Sequence, residues 1–243
     1  FAPASGGSIT IPSGGPAVRA AAEDAKNQLL DIASFFMEVP PKRLVLRAGS
    51  ILIEGRAESK RSIKQILDEI GDYMIMGKGF RGPNPTQSLR TWGAQVAEVE
   101  VNTETGQVRI LRVSACHDVG RVINPKGLES QFYGGILQGI GFALSEERVV
   151  DTRLGLVLND NLQDYKVPTI SDTPQMIATA LNIPDNAANH IGSRGAGEPP
   201  IIPTAAAIAN AVYDAVGVRV TELPITRRRM LEGITAQHRE GSK

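Results

Sequence analysis

Glu198 is the residue whose surroundings most favour chemistry, because it lies in the run Gly-Ser-Arg-Gly-Ala-Gly-Glu-Pro-Pro at residues 192–200. The three glycines before it allow backbone conformations closed to other residues and let a ligand approach the backbone closely. Pro199 and Pro200 fix φ immediately after it, which keeps the loop from relaxing into regular structure. A carboxylate on so rigid a loop is placed to act on a bound molecule. The alternative is a structural turn in which the glutamate only complements a helix dipole.

The glycine-rich segment at residues 5–15 is a second candidate, since it leads directly into a predicted helix. Small residues expose backbone N–H groups, and a helix N-terminus favours anions, so a phosphate or pyrophosphate is the expected ligand. Hydroxyl groups at Ser8, Thr10 and Ser13 add donors. The segment matches neither the P-loop nor the dinucleotide-binding fingerprint, and a flexible linker is the alternative.

A predicted helix at residues 126–145 is the third candidate. Gln131 and Gln138 are seven residues apart, which places them within about 20° of each other on the helix surface. Glycines lie near this stripe, although each one in a helix costs about 1 kcal/mol against alanine. They are Gly134, Gly135, Gly139 and Gly141. Two interpretations are open: tight packing against another helix, or a planar polar cofactor gripped by the amides.

The elements that would position these segments predict an α+β fold. Helical spacing of apolar residues predicts helices at about 16–36, 63–70, 126–145 and 202–216, with Ser59 or Ser62 capping the second. Alternation around the turn at 102–106 predicts a β-hairpin over 92–113. Further strands are predicted at 43–47, 50–53, 149–157 and 177–183, and a loop at 77–88.

Composition excludes several classes of function. Lys plus Arg and Asp plus Glu both number 26, so the net charge of zero favours neither nucleic-acid nor membrane-surface binding. We interpret the basic cluster 227–229 as a solvated surface or a subunit contact. No apolar run approaches the roughly 18 residues of a membrane span, and no secretion signal is recognisable. The single cysteine, Cys116, excludes an internal disulfide and a Cys₄ iron–sulfur site, and three scattered histidines offer no metal-ligand spacing.

Several stretches together resemble the C-terminal part of the molybdopterin-binding subunit in the xanthine dehydrogenase and aldehyde oxidase family of molybdenum hydroxylases. The resemblance covers nearly the whole chain in the family's order. It rests on residues 7–10 with 15–18, 92–94 with 98–100, 118–125, 131–139, 164–168 and 195–200. The run Gly-Glu-Pro-Pro before a helix rich in alanine, isoleucine and asparagine is the most specific of these. The resemblance implies two mixed α/β subdomains, at residues 1–90 and 91–243.

The resemblance also implies roles for individual residues. Glu198 would be the catalytic base beside molybdenum, with Gly197 holding the loop against the ligands of the metal. Gln131 would hydrogen-bond the pterin. The turn that binds the pterin and its phosphate would comprise Gly6, Gly7, Ser8 and Thr10. No residue of this chain is expected to ligate the metal. Asp118 and Asn124 match family positions as well, and we interpret both as structural.

The reaction that the resemblance implies is the oxidative hydroxylation of an electron-poor carbon in an N-heterocycle or aldehyde, with water as the oxygen source. The cofactor would be molybdopterin with molybdenum, expected as the cytosine dinucleotide. Electrons would leave through 2Fe–2S clusters and usually FAD on partner chains. Two alternatives stay open: other chemistry of the carbon monoxide dehydrogenase or aromatic acyl-CoA reductase type, or a non-catalytic assembly subunit.

The partners expected from the resemblance are a larger molybdopterin-binding chain, an iron–sulfur subunit and an FAD subunit, in the cytoplasm. Molybdenum subunits of this family are much longer than 243 residues. The chain also begins at Phe1 rather than at methionine. We therefore expect either a fragment or, preferably, a natural subunit of medium size that pairs with a larger one.

Overall fold

The computed structural model describes residues 4–71, 73–81 and 90–240, and the chain forms two compact units. One unit comprises Thr10–Gln87 with the first four residues, and the other comprises Ser5–Ile9 and Ser88–Lys243. Both units contain helices and strands, and the predicted α+β fold is confirmed. The expected assignment of residues 1–90 and 91–243 to two subdomains stays a prediction.

The first unit packs one long helix and one short helix on a small antiparallel sheet. After a π-helical turn at Thr10–Gly14, its elements are α1 (Gly15–Met37), β1 (Leu44–Arg47), β2 (Ser50–Ile53), β3 (Arg56–Ser62) and α2 (Ile63–Ile70), with β2 central in the sheet. Ser62 and Gln65 form a reciprocal capping box that starts α2, which decides between the two predicted caps. The core joins Leu29 and Ala33 to side chains of the sheet and α2.

The loop predicted at residues 77–88 is partly described. Residues 77–81 have no regular structure, and residues 82–88 lie outside the described residues. Gly77 and Gly79 run against α1 so closely that a Cβ atom on either would lie about 2 Å from a backbone oxygen of the helix, at 2.0 and 2.1 Å. Glycine is therefore required by packing at both positions.

The second unit is a three-stranded sheet with helices on one face. Its elements are β4 (Trp92–Val101), β5 (Val108–Asp118), α3 (Pro125–Leu144), β6 (Val150–Asp151), β7 (Leu156–Val157), β8 (Gln175–Leu181), α4 (Thr204–Val216) and α5 (Arg227–Glu240). β5 lies between β4, to which it is antiparallel, and β8, to which it is parallel. Side chains from β5 and the three helices form one core, with Val113, Ile136, Ile208 and Met230 fully buried.

Most predicted elements are confirmed, and four differ in an informative way. The 149–157 strand is instead a hairpin of two short strands, β6 and β7. The helix predicted from residue 202 begins at Thr204, after a 3₁₀ turn at Pro199–Ile201. β3 and α5 were not predicted, because neither carries enough apolar residues to reveal its period. In the basic cluster, Arg229 is not a solvated side chain: it is 13% exposed and pairs with Glu222 and Glu147.

Candidate active site

Glu198 lies at the end of its loop, where its backbone and side chain are both held by the N-terminal turn. The N–H of Gly7 donates to Oε1 of Glu198 at 2.8 Å, and the N–H of Glu198 donates to Oγ of Ser8 at 2.9 Å. Both partners belong to the same compact unit as the loop. The carboxylate is exposed, and Oε2 accepts no hydrogen bond from another described residue. One oxygen is thus anchored and the other is available to a bound molecule.

The N-terminal turn has the backbone shape that this anchoring requires. Gly7 and Ser8 both have left-handed backbone angles, with φ of 67° and 58°. Such a conformation costs a non-glycine residue roughly 1–2 kcal/mol, whereas glycine adopts it readily. The hydroxyl of Ser8 accepts the hydrogen bond from the N–H of Glu198. Gly6 has no other residue within 4 Å of its missing Cβ and leaves space beside the turn.

The three glycines of the loop serve two different purposes. Only Gly192 uses a left-handed conformation, with φ of 77°. Gly195 and Gly197 are needed for close approach instead. A Cβ on Gly195 would lie 2.7 Å from Cβ of Ser8, and one on Gly197 would lie 3.3 Å from its Oγ. The absence of side chains at these positions therefore lets the N-terminal turn reach the loop.

Gln131 lies on the exposed side of α3, beside this turn and loop. Its Oε1 is 3.4 Å from the position that a Cβ on Gly197 would occupy. Its amide makes no hydrogen bond to another described residue, so both ends of the amide are free to bind a ligand. The predicted residues Gly7, Ser8, Gln131, Gly197 and Glu198 are therefore brought together. Thr10 begins the π-helical turn of the first unit, and its predicted cofactor contact stays a prediction.

Three of the four glycines near the glutamine stripe of α3 are explained by tight packing against other parts of the protein rather than by a bound cofactor. A Cβ on Gly135 would lie 2.7 Å from Cβ of Pro200, and one on Gly139 would lie 2.4 Å from Cβ of Thr204. Gly141 is similarly close to Glu146. Only Gly134 has nothing within 4 Å. The close approach fixes the segment after Glu198 directly onto the helix that carries Gln131.

Gln95 is a positioning residue that sequence reasoning missed. Its Nε2 donates to the carbonyl oxygen of Pro200 at 2.6 Å, and its Oε1 accepts from the hydroxyl of Thr204 at 2.7 Å. The sequence contains a signal for this role, because Gln95 is a polar residue on the face of β4 whose other residues, Ala97 and Val99, are apolar and pack on the core. An amide at an inward position of a strand needs a buried partner. Here that partner is the turn that follows the candidate base.

A partly buried ion-pair network holds the beginning of the loop. The guanidinium of Arg194 binds Asp185 at 2.7 Å and Asp118 at 2.8 Å, and also donates to the carbonyl oxygen of Arg90. The hydrogen bond from Arg194 lowers the pKa of Asp185, and the same bond raises the pKa of Arg194. Arg194 is thus occupied in structure rather than presented to a substrate. Asp118 and Asn124 are structural as expected, the latter capping α3 through Gly127 N–H at 3.0 Å.

His117 is buried behind the site on the inner face of β5. It is 1% exposed, and neither ring nitrogen has a hydrogen-bond partner. Its ring lies against Phe132, with centroids 4.9 Å apart, and a Cβ on Gly93 would lie 2.0 Å from its Nδ1. Burial lowers the pKa of His117, because the charged imidazolium would have no compensation there. Among the described residues no group of three or more His, Cys, Asp or Glu side chains could hold a metal ion.

Comparison with known proteins identifies similar chains. Residues 1–174 match the family described as molybdopterin cofactor-binding domain. The putative xanthine dehydrogenase molybdenum-binding subunit XdhA of Escherichia coli (strain K12) is 35% identical over 223 residues, which cover 89% of this chain and 29% of that protein. The chain thus spans less than a third of the length of this curated relative. In the described part of the chain, no helix has the length and apolar character to cross a membrane.

Two solved structures are similar in fold. Quinoline 2-oxidoreductase from Pseudomonas putida 86 matches with a TM-score of 0.71 and 26% identity, over 88% of this chain and 28% of that one. Carbon monoxide dehydrogenase from Oligotropha carboxidovorans matches with a TM-score of 0.76 and 23% identity, over 97% of this chain and 30% of that one. At that identity the second match is evidence for the fold alone.

Proposed function

Because the chain belongs to the molybdopterin cofactor-binding domain family, we propose that it supplies the catalytic base of a molybdenum hydroxylase, with Glu198 in that role. The observation that carries the proposal is the asymmetry of the carboxylate. Oε1 is held by the N–H of Gly7, while Oε2 is exposed and unpartnered among the described residues. A base needs one oxygen that is free to accept a proton and a side chain that is oriented toward it.

The residues around Glu198 fit a flat polar cofactor. Gln131 presents an unengaged amide, which can both donate to and accept from a pterin ring. Gly197 leaves open the space that a Cβ would fill between Ser8 and Gln131. Gly6 and Gly134 leave further open space beside them. We assign Gly6, Gly7, Ser8, Gln131 and Gly197 to cofactor binding on this basis.

The bound cofactor would supply the two-electron redox chemistry of the reaction. This chain would supply the proton acceptor and its alignment. The hydrogen bond from Gly7 stops the carboxylate from rotating, and the bond from Glu198 N–H to Ser8 fixes the backbone below it. Gln95 donates a hydrogen bond to Pro200, and Gly135 packs closely against the same residue. Both contacts restrict the movement of the segment that follows the base. Such pre-organisation shortens the search for a reactive geometry.

The substrate and the route of the electrons are further parts of the proposal. Similarity to a xanthine dehydrogenase subunit and to quinoline 2-oxidoreductase favours an N-heterocycle as the substrate. An aldehyde is the other substrate class that we propose, and water is the proposed oxygen source. The single cysteine of this chain cannot build a Cys₄ cluster, so 2Fe–2S clusters and FAD would reside on partner chains. The cytosine dinucleotide form of molybdopterin and a cytoplasmic location belong to the same proposal, and cofactor hydrolysis with base analysis and cell fractionation test them.

We also propose that residues 1–90 form part of one molybdopterin-binding subdomain and residues 91–243 the second, which carries the Glu198 loop. The two compact units, which meet at Gln87 and Ser88, support a division near this point, although Ser5–Ile9 groups with the second unit. We propose that the rest of the cofactor site comes from a larger molybdopterin-binding chain or, if this sequence is a piece of a longer protein, from the remainder of that protein; the part matched here is 29% of XdhA. An iron–sulfur subunit and an FAD subunit would accompany it.

The test is Glu198→Gln in the complex purified from its own host. The amide keeps the shape and can still accept from Gly7, but it is a poor proton acceptor, so turnover should fall by about 100-fold or more. Molybdenum content, measured by elemental mass spectrometry, should be unchanged. Glu104→Gln in the exposed turn between β4 and β5 is the matched control and should leave turnover normal. Normal turnover in a molybdenum-replete Glu198→Gln complex would overturn the assignment.

A further inference from the structure

The guanidinium of Arg194 joins three segments of the second unit to the beginning of the Glu198 loop. Its Nε and Nη2 both donate to Oδ2 of Asp185, at 2.9 and 2.7 Å, and its Nη1 donates to Oδ2 of Asp118 at 2.8 Å. The same Nη1 donates to the carbonyl oxygen of Arg90 at 3.0 Å. These acceptors precede β4, end β5 and follow β8, so a single side chain ties all three strands to the loop.

The two carboxylates depend on this cation, because each of them is mostly shielded from water. The side chain of Asp118 is 24% exposed, that of Asp185 is 20% exposed, and that of Arg194 itself is 19% exposed. Two carboxylates that share one counter-ion repel each other once it is removed. A lysine would not restore the arrangement, since a single ammonium replaces a planar fork that reaches both carboxylates and a carbonyl oxygen at once.

Gly195 links Arg194 to the turn that orients the base. The carbonyl oxygen of Gly195 accepts from Oγ1 of Thr91 at 2.9 Å. Its missing side chain lets Ser8 approach, since a Cβ there would lie 2.7 Å from Cβ of Ser8. Ser8 in turn accepts from the N–H of Glu198. The residue next to Arg194 is therefore packed against the residue that holds the backbone of the base.

We propose that Arg194 is a positioning residue for the catalytic base, an inference that rests on the proposed function of Glu198. Among the described residues, Arg194 donates to none of those that we assign to the base or to cofactor binding. It fixes Gly195, against which the N-terminal turn packs, and Gly7 in that turn holds Oε1 of Glu198. Loss of the guanidinium would therefore loosen the hydrogen bond between Gly7 and Glu198 without removing any atom of the candidate site.

Arg229 offers a matched control, because it has the same kinds of partner at a different place in the unit. Its side chain is 13% exposed, pairs with Glu147 and Glu222, and donates to the carbonyl oxygen of Pro224. Both arginines thus join two carboxylates and one carbonyl oxygen. Only Arg194 lies on the loop of the candidate base.

The first test compares Arg194→Lys with Arg229→Lys by hydrogen exchange in the complex purified from its own host. The exchange rate of Gly7 N–H reports its hydrogen bond to Glu198 and requires no turnover. We expect this rate to rise at least about tenfold in Arg194→Lys, because the carboxylates lose their shared fork, and to change less than about twofold in Arg229→Lys. Exchange at the same rate in the two variants would overturn the proposal, whether Gly7 is protected in both or in neither.

The second test removes one hydrogen bond and keeps the guanidinium, so it applies even where the first variant fails to fold. Thr91→Val removes the hydroxyl that donates to Gly195, and Thr235→Val removes a matching hydroxyl that donates to the carbonyl oxygen of Leu231 in α5. We expect Gly7 N–H to exchange about threefold to tenfold faster in Thr91→Val than in Thr235→Val, the equivalent of one hydrogen bond. Equal rates would show that Gly195 does not link the two ends of the loop and would also contradict the proposal.

A kinetic readout separates positioning from a general loss of stability. The probes are xanthine, quinoline and benzaldehyde, and the complex is reduced by each in a single turnover. In Arg194→Lys the rate constant at saturation should fall at least about fivefold and the half-saturating concentration should change less than about twofold, because the base acts in the chemical step. Arg229→Lys should alter neither. A raised half-saturating concentration with an unchanged rate constant would contradict the proposal.

These results also separate the inference from the proposed function. Faster exchange at Gly7 in Arg194→Lys, with normal turnover in Glu198→Gln, would reject the catalytic role of Glu198 and leave Arg194 holding a carboxylate without that role. Unchanged exchange at Gly7, with loss of turnover in Glu198→Gln, would reject the positioning role of Arg194 alone. In a complex that oxidises none of the three probes, the exchange rates decide.

Discussion

The N–H of Gly7 and Oε1 of Glu198 form a hydrogen bond of 2.8 Å between residues that are 191 positions apart in the chain. A second hydrogen bond joins the same two segments, from the N–H of Glu198 to Oγ of Ser8. A carboxylate at the end of a glycine-rich loop would otherwise sample many orientations. Its direction is therefore set by the N-terminal turn as much as by its own loop.

Ser8 provides a direct test of this arrangement. Ser8→Ala and Ser8→Gly both remove the hydroxyl that accepts from Glu198 N–H, so both should lower kcat by about fivefold, the equivalent of one hydrogen bond. Ser8→Gly should be more stable than Ser8→Ala by roughly 1 kcal/mol, because alanine keeps the cost of the left-handed backbone. Steady-state kinetics and chemical denaturation measure the two effects. Full activity in Ser8→Gly would mean that the hydroxyl does not position the base.

The glycines of α3 offer a matched pair of substitutions. Gly135→Ala places a Cβ 2.7 Å from Cβ of Pro200 and 2.9 Å from the backbone nitrogen of Ile201, so the segment after Glu198 must shift. We expect it to lose about 1–3 kcal/mol of unfolding free energy, as overpacked sites do. Gly134→Ala meets nothing within 4 Å and should gain up to about 1 kcal/mol, because alanine favours the helix. Denaturation midpoints distinguish them, and similar midpoints would contradict the packing described here.

His117 should make the stability of the chain depend on pH. Its pKa is lowered in the folded state by burial, whereas a histidine in the unfolded chain titrates near 6.5. As the pH falls below about 6.5, the unfolded state binds a proton that the folded state does not, so the free energy of unfolding decreases. The loss continues until the pH reaches the lower pKa of the folded protein. Asp185 acts in a different range, since its lowered pKa affects stability only as the pH falls through about 3.9 and below.

The variant His117→Leu tests this expectation. Leucine has a similar volume and needs no hydrogen bond, so it should remove most of the stability loss between about pH 7.5 and 5.5. Unfolding midpoints at the two pH values measure the difference, and His190→Gln on an exposed loop is the control. The same pH dependence in His117→Leu and in the unchanged chain would show that another group titrates in this range.

Periodic elements were predictable because their own residues carry the signal. The β4–β5 hairpin and the helices α1 and α3 have apolar residues at regular spacing, and packing in the structure follows that spacing. β3 and α5 were not predicted, because their own residues show no clear apolar period. β3 is a charged edge strand, and α5 exposes most of its surface while burying only a few residues such as Met230 and Ile234. Their stability comes from neighbours that are distant in sequence.

For the candidate site, unusual glycine content and polar side chains marked the Glu198 loop, the N-terminal turn and the helix that carries Gln131 and Gln138. The family resemblance then selected Gln131 and gave Glu198 its expected role. Local composition could not separate the uses of the glycines. Gly192 adopts a left-handed backbone, whereas Gly195, Gly197 and Gly135 are required by what lies opposite them. Gln95 reaches a carbonyl oxygen 105 positions away. Backbone propensity is a property of neighbouring residues, but close approach and hydrogen-bond pairing depend on surfaces that meet only after folding.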